Sequence, residues 1–150
     1  MVVSPPDKLM PRRCPGAIRA DHPTHPVWGY RPPDRIPGLS AGTILEILRV
    51  EQRTGQLVGT ALLRYREFLS PPRQWPLYPM PDVCSCPSCR LDDVRNARDV
   101  LEDALEQLPP RARAELRRRV MALDKEYRRR TLPDLWSDQE TWWRRRLTVH

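Results

Sequence analysis

The chain has no run of eighteen apolar residues, so nothing in it is long and greasy enough to cross a bilayer as a helix. Its opening, MVVSPPDKLMPRRCPG, lacks the apolar stretch of a secretory leader. These two absences predict a cytoplasmic protein. In that compartment thiols stay reduced, so cysteines serve metal binding or redox work rather than structural disulfides. Also missing are a phosphate-cradling glycine loop, a His-Glu-x-x-His pair and a Gly-x-Ser-x-Gly elbow. The only histidines are His22, His25 and His150. Asp92 and Asp93 stand at a helix start, where carboxylates suit the dipole and need no metal to explain them. No general base is in view, and a non-catalytic role without catalytic residues is expected.

Lysine is almost absent. The net charge of +7 is carried by 24 Arg and 2 Lys, a bias that genomic base composition can produce, so arginine by itself says little about phosphate recognition. Apolar residues are also scarce, at 39% of 150, while proline is abundant at 18. That composition predicts one domain with tails, a small core and long irregular stretches. A core of that size tends to need a staple: a disulfide, a metal or a partner.

Nine of the prolines lie in residues 1–40, which read as a proline-rich arm. Trp28 and Tyr30 give that arm something to pack, and Pro37-Gly38 marks a turn. Residues 41–150 read as a helical domain. From Thr43, whose Thr-Ile-Leu-Glu fits a capping box, one apolar face continues at three-four spacing to Leu69, with a kink or break expected near Gly55. Residues 70–88 form a Pro/Cys-rich connector, with five prolines between Ser70 and Asp82. Residues 89–130 read as two helices joined at Pro109-Pro110 and folded back as an antiparallel αα-hairpin. Ser137-Asp138-Gln139-Glu140 is a second capping box and predicts a short helix over 137–147. The fold expected is therefore mainly α: a long or kinked helix on an αα-hairpin, a short C-terminal helix, and a zinc staple.

The staple is read from PDVCSCPSCR, which crowds Cys84, Cys86 and Cys89 into six residues. With Cys89 at a helix mouth, exposed N–H groups would favour anionic sulfur. Zinc wants four Cys or His ligands in a tetrahedron. Cys14, in the turn Arg-Arg-Cys-Pro-Gly, is the expected fourth thiolate, with His22, His25 and His150 as the other candidates. An iron–sulfur cluster could use the same four thiols. Closing about seventy residues of loop would stabilise the fold by restricting the unfolded chain.

Cys86-Pro-Ser-Cys89 resembles the thioredoxin-type active-site tetrapeptide, which implies reversible disulfide chemistry. That family sets its motif after a β-strand, and nothing before Pro81 reads as one. ALEQLPPRARAEL, Ala104 to Leu116, resembles the first helices of the DNA-binding region of bacterial sigma factors. A helix-turn-helix would continue with a turn and a recognition helix; here one amphipathic helix runs on to Pro133.

Charge is uneven. Residues 84–108 hold 3 basic and 6 acidic side chains, and residues 109–130 hold 9 and 3. The two helices can neutralise each other where they meet. At about 100° per residue, however, Arg111, Arg117, Arg118, Lys125, Arg128 and Arg129 fall on the outward side of the second helix, with Arg113, Arg119 and Arg130 nearer the seam. Such a row suits a phosphate backbone or an acidic protein surface. Expected, then, is a zinc-stabilised basic binding protein, nucleic-acid-associated or regulatory. A protein-interaction module with an acidic partner and a CxxC redox protein are the alternatives.

Overall fold

A computed structural model of the chain describes residues 36–81 and 84–149. The arm before Ile36, with Cys14, His22, His25, Trp28 and Tyr30, lies outside the described residues, as does His150. The described chain is mainly helical: α1 (Ala41–Thr54), α2 (Val58–Phe68), α3 (Val94–Gln107) and α4 (Pro110–Arg130), with a 3-10 turn at Cys89–Asp92 before α3. The β pairing found among these residues is a single bridge between Pro133 and Arg146. No described helix is long and apolar enough to cross a membrane.

The chain enters through a β-turn in which Leu39 N–H donates to Ile36 C=O at 3.1 Å. Gly38 occupies its third position at φ 86°, the left-handed value that a type II turn places there. The first helix is capped by Ser40, not by Thr43. The Thr43 amide donates to Ser40 Oγ at 3.3 Å, while the Ser40 amide and hydroxyl both donate to the Glu115 carboxylate of α4 at 3.0 Å. A partner 75 residues away thus moves the cap. Glu46, left free of capping duty, pairs with Arg49.

The expected long helix breaks at Gly55, whose φ of 74° is a left-handed C-cap that few other residues adopt cheaply. The apolar face survives the break: Ile47 and Val50 of α1 and Val58, Leu62 and Tyr65 of α2 enter one core with Leu91, Leu101, Leu105, Leu116 and Val120. Helix α3 packs most extensively on α2, and α1 packs on α4.

Where α2, α3 and α4 meet, the core contains charge. Arg98, its side chain 7% exposed, forms a two-pronged pair with Asp124 at 2.9 and 3.1 Å, and donates to Glu102 at 2.7 Å. The Tyr65 hydroxyl donates to the same Asp124 at 2.7 Å. The guanidinium also lies 4.3 Å from the Trp143 ring centre. Burial, then the Asp124 charge, pushes the Tyr65 phenol far above its ordinary range, so it stays a donor at any working pH.

Another buried charge is left less well supported. Glu51 is 5% exposed, and its carboxylate oxygens have no hydrogen-bond partner among the described residues. Burial raises its pKa to about 7, against a weaker opposing pull from the Gly59 and Val58 amides at the start of α2, which lie near the carboxylate without closing a well-formed hydrogen bond. In the unfolded chain the value is the ordinary 4.5. Between these values the folded state holds a proton that the unfolded state has lost, so stability falls as pH rises from 4.5 to 7 and then levels. Glu51→Gln should match the parent near pH 5 and exceed it by roughly 1–3 kcal/mol above pH 8. Urea unfolding across that range measures the difference.

The C-terminal segment corrects the sequence reading. No helix forms over 137–147; the chain makes turns between Thr141 and Arg145 and then runs extended. Ser137 Oγ accepts from Gln139 N–H, two residues on, rather than from an N3 amide. The forked Arg145 guanidinium takes the Gln139 and Glu140 carbonyls that would have opened the helix. Trp143 and Arg144 are both anchored to Asp99 of α3. Tertiary anchors override the local cap, and Trp143 is buried at 8% exposure. Beyond them, residues 145–149 lie between the connector and the segment after α4. Leu147 N–H donates to Leu132 C=O, Val149 N–H donates to Pro79 C=O, and Asp134 N–H donates to Arg145 C=O.

Candidate metal centre and cationic face

The cysteines come together as their spacing suggests. Cys84, Cys86 and Cys89 place their sulfur atoms within 4.8 Å of one another, close enough to hold a metal ion. Four sulfurs at about 2.3 Å from a tetrahedral zinc stand roughly 3.8 Å apart, so only small rotations separate this cluster from ligand geometry. The backbone helps: Cys86 N–H points to Cys84 Sγ at 3.5 Å and Cys89 N–H to Cys86 Sγ at 3.3 Å. These contacts fix the sulfurs on the turn. Arg90 N–H to Cys86 C=O at 3.0 Å closes the turn that carries the last two sulfurs. Cys89 is buried, and the other two are half-exposed.

One part of the expectation fails. Cys89 opens only the four-residue 3-10 turn, and α3 begins at Val94. Asp93 caps that helix, accepting from Arg95 N–H at 3.0 Å, so the helix dipole is answered by a carboxylate and not by sulfur. Cys14, the expected fourth ligand, lies outside the described residues, as do His22, His25 and His150.

The second feature is how the arginines are used. Prolines remove N–H donors, which leaves the carbonyls of the irregular segments short of backbone partners. Arginine forks supply the missing donors. Arg130, buried at the end of α4, donates to the carbonyls of Leu69, Pro71 and Gln74. Arg113 takes those of Glu106 and Leu108, and Arg119 takes that of Pro37. Arg146 reaches the Arg128 and Thr131 carbonyls at the end of α4, as well as the Thr131 hydroxyl. Burial lowers the pKa of Arg146 without discharging it at any working pH.

The six residues assigned to the outward side of α4 are exposed: Arg111, Arg117, Arg118, Lys125, Arg128 and Arg129. Arg129 pairs with Glu126 at 2.6 Å, which lowers the Glu126 carboxyl pKa and raises that of the guanidinium. Arg128 stacks on Trp142, 3.9 Å from the ring centre. The other four make no ion pair among the described residues. Between them Met121 is 62% exposed, on the floor of a shallow depression with Pro110, Ala114 and the stems of Arg117 and Arg118.

Sequence reasoning missed two sets of residues. The carbonyl-binding role of Arg130 joins positions 56 or more apart and has no local signature beyond proline density. Trp136 belongs to no motif in the sequence, yet it is 95% exposed in a turn held by its own N–H to Asp134 Oδ1 at 3.0 Å. No protein-family model, curated protein or solved structure matches the chain, so its reading rests on its own residues.

Proposed function

We propose that this chain is a non-catalytic binding module: a structural zinc is held by Cys84, Cys86, Cys89 and Cys14, and the outward face of α4 contacts the phosphate backbone of nucleic acid. The zinc fixes the connector between α2 and α3. Cys14 supplies the fourth thiolate and ties the arm to the helical body. All-thiolate coordination is closed, which suits a structural ion better than a reactive one.

The observation that carries the binding role is the division of labour among the cations of α4. Arg113, Arg119 and Arg130 are engaged with carbonyls of their own chain, whereas Arg111, Arg117, Arg118 and Lys125 are exposed and make no ion pair among the described residues, Arg111 only sensing the Glu115 charge one turn along. From Arg111 to Lys125 the helix rises about 21 Å, which spans several phosphates of one strand. An acidic protein surface is the second reading; the exposed Met121 amid the arginines favours it, since a thioether suits an amphipathic partner.

Fluorescence anisotropy with a labelled oligonucleotide separates the two. Nucleic-acid binding should weaken steeply with salt. Substituting Arg111, Arg117, Arg118 and Lys125 by Ala should cut affinity at low salt about 100-fold and flatten the log–log salt slope by roughly 3. No binding at low salt, or a slope that the substitutions leave unchanged, would hand the face to an acidic protein.

A further inference from the structure

Exposed apolar side chains are not scattered over this molecule. Of the ten large hydrophobic residues that stand exposed among the described ones, seven lie in the irregular layer that closes the C-terminal end of α4: Trp75, Tyr78 and Met80 of the connector, and Leu135, Trp136, Leu147 and Val149 of the C-terminal segment. The layer is built, not loose. Leu77 N–H donates to Arg130 C=O at 2.7 Å, and Val149 N–H donates to Pro79 C=O at 3.1 Å, so connector and terminal segment are joined to α4 and to each other.

Two indoles in it are open at the face: Trp75, held by one edge of its ring, and Trp136, held through its backbone. Trp75 is 63% exposed while its ring N–H donates to the Arg129 carbonyl at 3.2 Å, which sets the ring beside the last turn of the cationic helix. Trp136 projects from the turn fixed by Asp134, whose own N–H donates to Arg145 C=O. A ring already held in place loses little freedom when something stacks on it. The charge around this layer is mixed: Arg73, Arg128 and Arg129 stand exposed on the Trp75 side, while Asp138 and Glu140 are exposed with Arg145 in the segment that carries Trp136.

We infer that the ligand of this surface is a single-stranded nucleic acid, its phosphates following the α4 row and its unpaired bases stacking on Trp75 and Trp136. This rests on the reading of α4 as a phosphate-binding face and narrows it. Pairing hides base faces inside a duplex, whereas a single strand offers them to aromatic rings. A cationic track that runs into open aromatic faces matches that ligand and not a rigid helix. DNA and RNA strands share the chemistry; the comparison below tells them apart.

The probes are oligo(dT) and oligo(rU) of about 20 nucleotides, longer than the common site sizes of single-strand binders, and a mixed-sequence duplex of equal length. The full chain should bind the single strands at least tenfold more tightly than the duplex. Trp136→Ala and Trp75→Ala should each weaken single-strand binding roughly 5- to 100-fold, with duplex binding changed less than twofold. Trp136→Phe and Trp75→Phe should restore most of the loss. Trp136 is almost wholly exposed, so its replacement leaves the folded state intact and thermal unfolding should confirm it. A preference for dT over rU, or the reverse, then identifies the source of the strand. Duplex bound as tightly as single strand, or indole substitutions without effect, would overturn the inference while leaving the cationic face in force. Failure of every probe to bind would remove both.

Discussion

Arg130→Ala should be among the most damaging single substitutions in the described chain, costing about 2–4 kcal/mol and lowering the melting temperature by roughly 5–15 °C. The side chain is 6% exposed and makes no close ion pair; its nearest carboxylate oxygen, on Glu126, is 3.9 Å away. What it makes instead are hydrogen bonds to three carbonyls of the segment that leaves α2: Leu69, Pro71 and Gln74. Those carbonyls face a stretch in which proline has removed the usual donors. Truncation leaves a buried helix end and a strap without partners. Arg130→Lys should recover little, because an ammonium on a flexible stem cannot fork to three acceptors as a planar guanidinium does. Chemical denaturation of the three proteins gives the ranking; a lysine variant as stable as the parent would show that charge, not geometry, is what matters there.

The second large effect concerns sulfur. With free zinc at about 100 to 1,000 times its dissociation constant, the bound ion would stabilise the folded state by roughly 3–4 kcal/mol. Chelation, or Cys84→Ser, should remove that increment. Cys84 is the better site for the test because it is half-exposed, whereas a hydroxyl in place of Cys89 would also leave a buried polar group to satisfy. Helical content should survive, since the core joining the four helices does not use the sulfurs. The lost transition should therefore be seen in the connector first, as faster amide exchange around residues 84–91, and only then in the global melt.

The helical part of this fold was largely legible from apolar spacing. Val58, Leu62, Tyr65 and Leu69 lie on the face that the three-four pattern marks, whereas on α1 that face runs through half-buried Ile44 and Leu48 and the core takes Ile47 and Val50 instead; the break at Gly55 follows from the conformational freedom of glycine. The outward cations of α4 were legible for the same reason, because a helix converts sequence spacing into direction. Failures came where distant residues outvote a local motif. Ser137-Asp138-Gln139-Glu140 has the composition of a helix start, but Arg145 and the Asp99 anchors hold the following residues in turns. Thr43 yields its capping role because Glu115 of α4 holds Ser40 in the better position. Cys89 sits five residues before the α-helix that its local pattern suggests, since a 3-10 turn and the first turn of an α-helix share the same composition. The sulfur cluster itself was legible, because six residues of chain cannot carry three cysteines far apart.

Arginine forks at the end of α4 hold the irregular part of the molecule, and the proposed second device is an ion bound by the sulfurs ahead of α3. The second is the more exposed to direct test. Native mass spectrometry of the protein purified from zinc-supplemented medium, with thiol alkylation before and after chelation, reads metal and thiols in one experiment. One zinc per chain, four thiols protected until the chelator is added, and loss of the ion in Cys84→Ser are the predicted result. A metal-free, folded chain whose thiols alkylate at once, or one isolated with a Cys86–Cys89 disulfide, would contradict it.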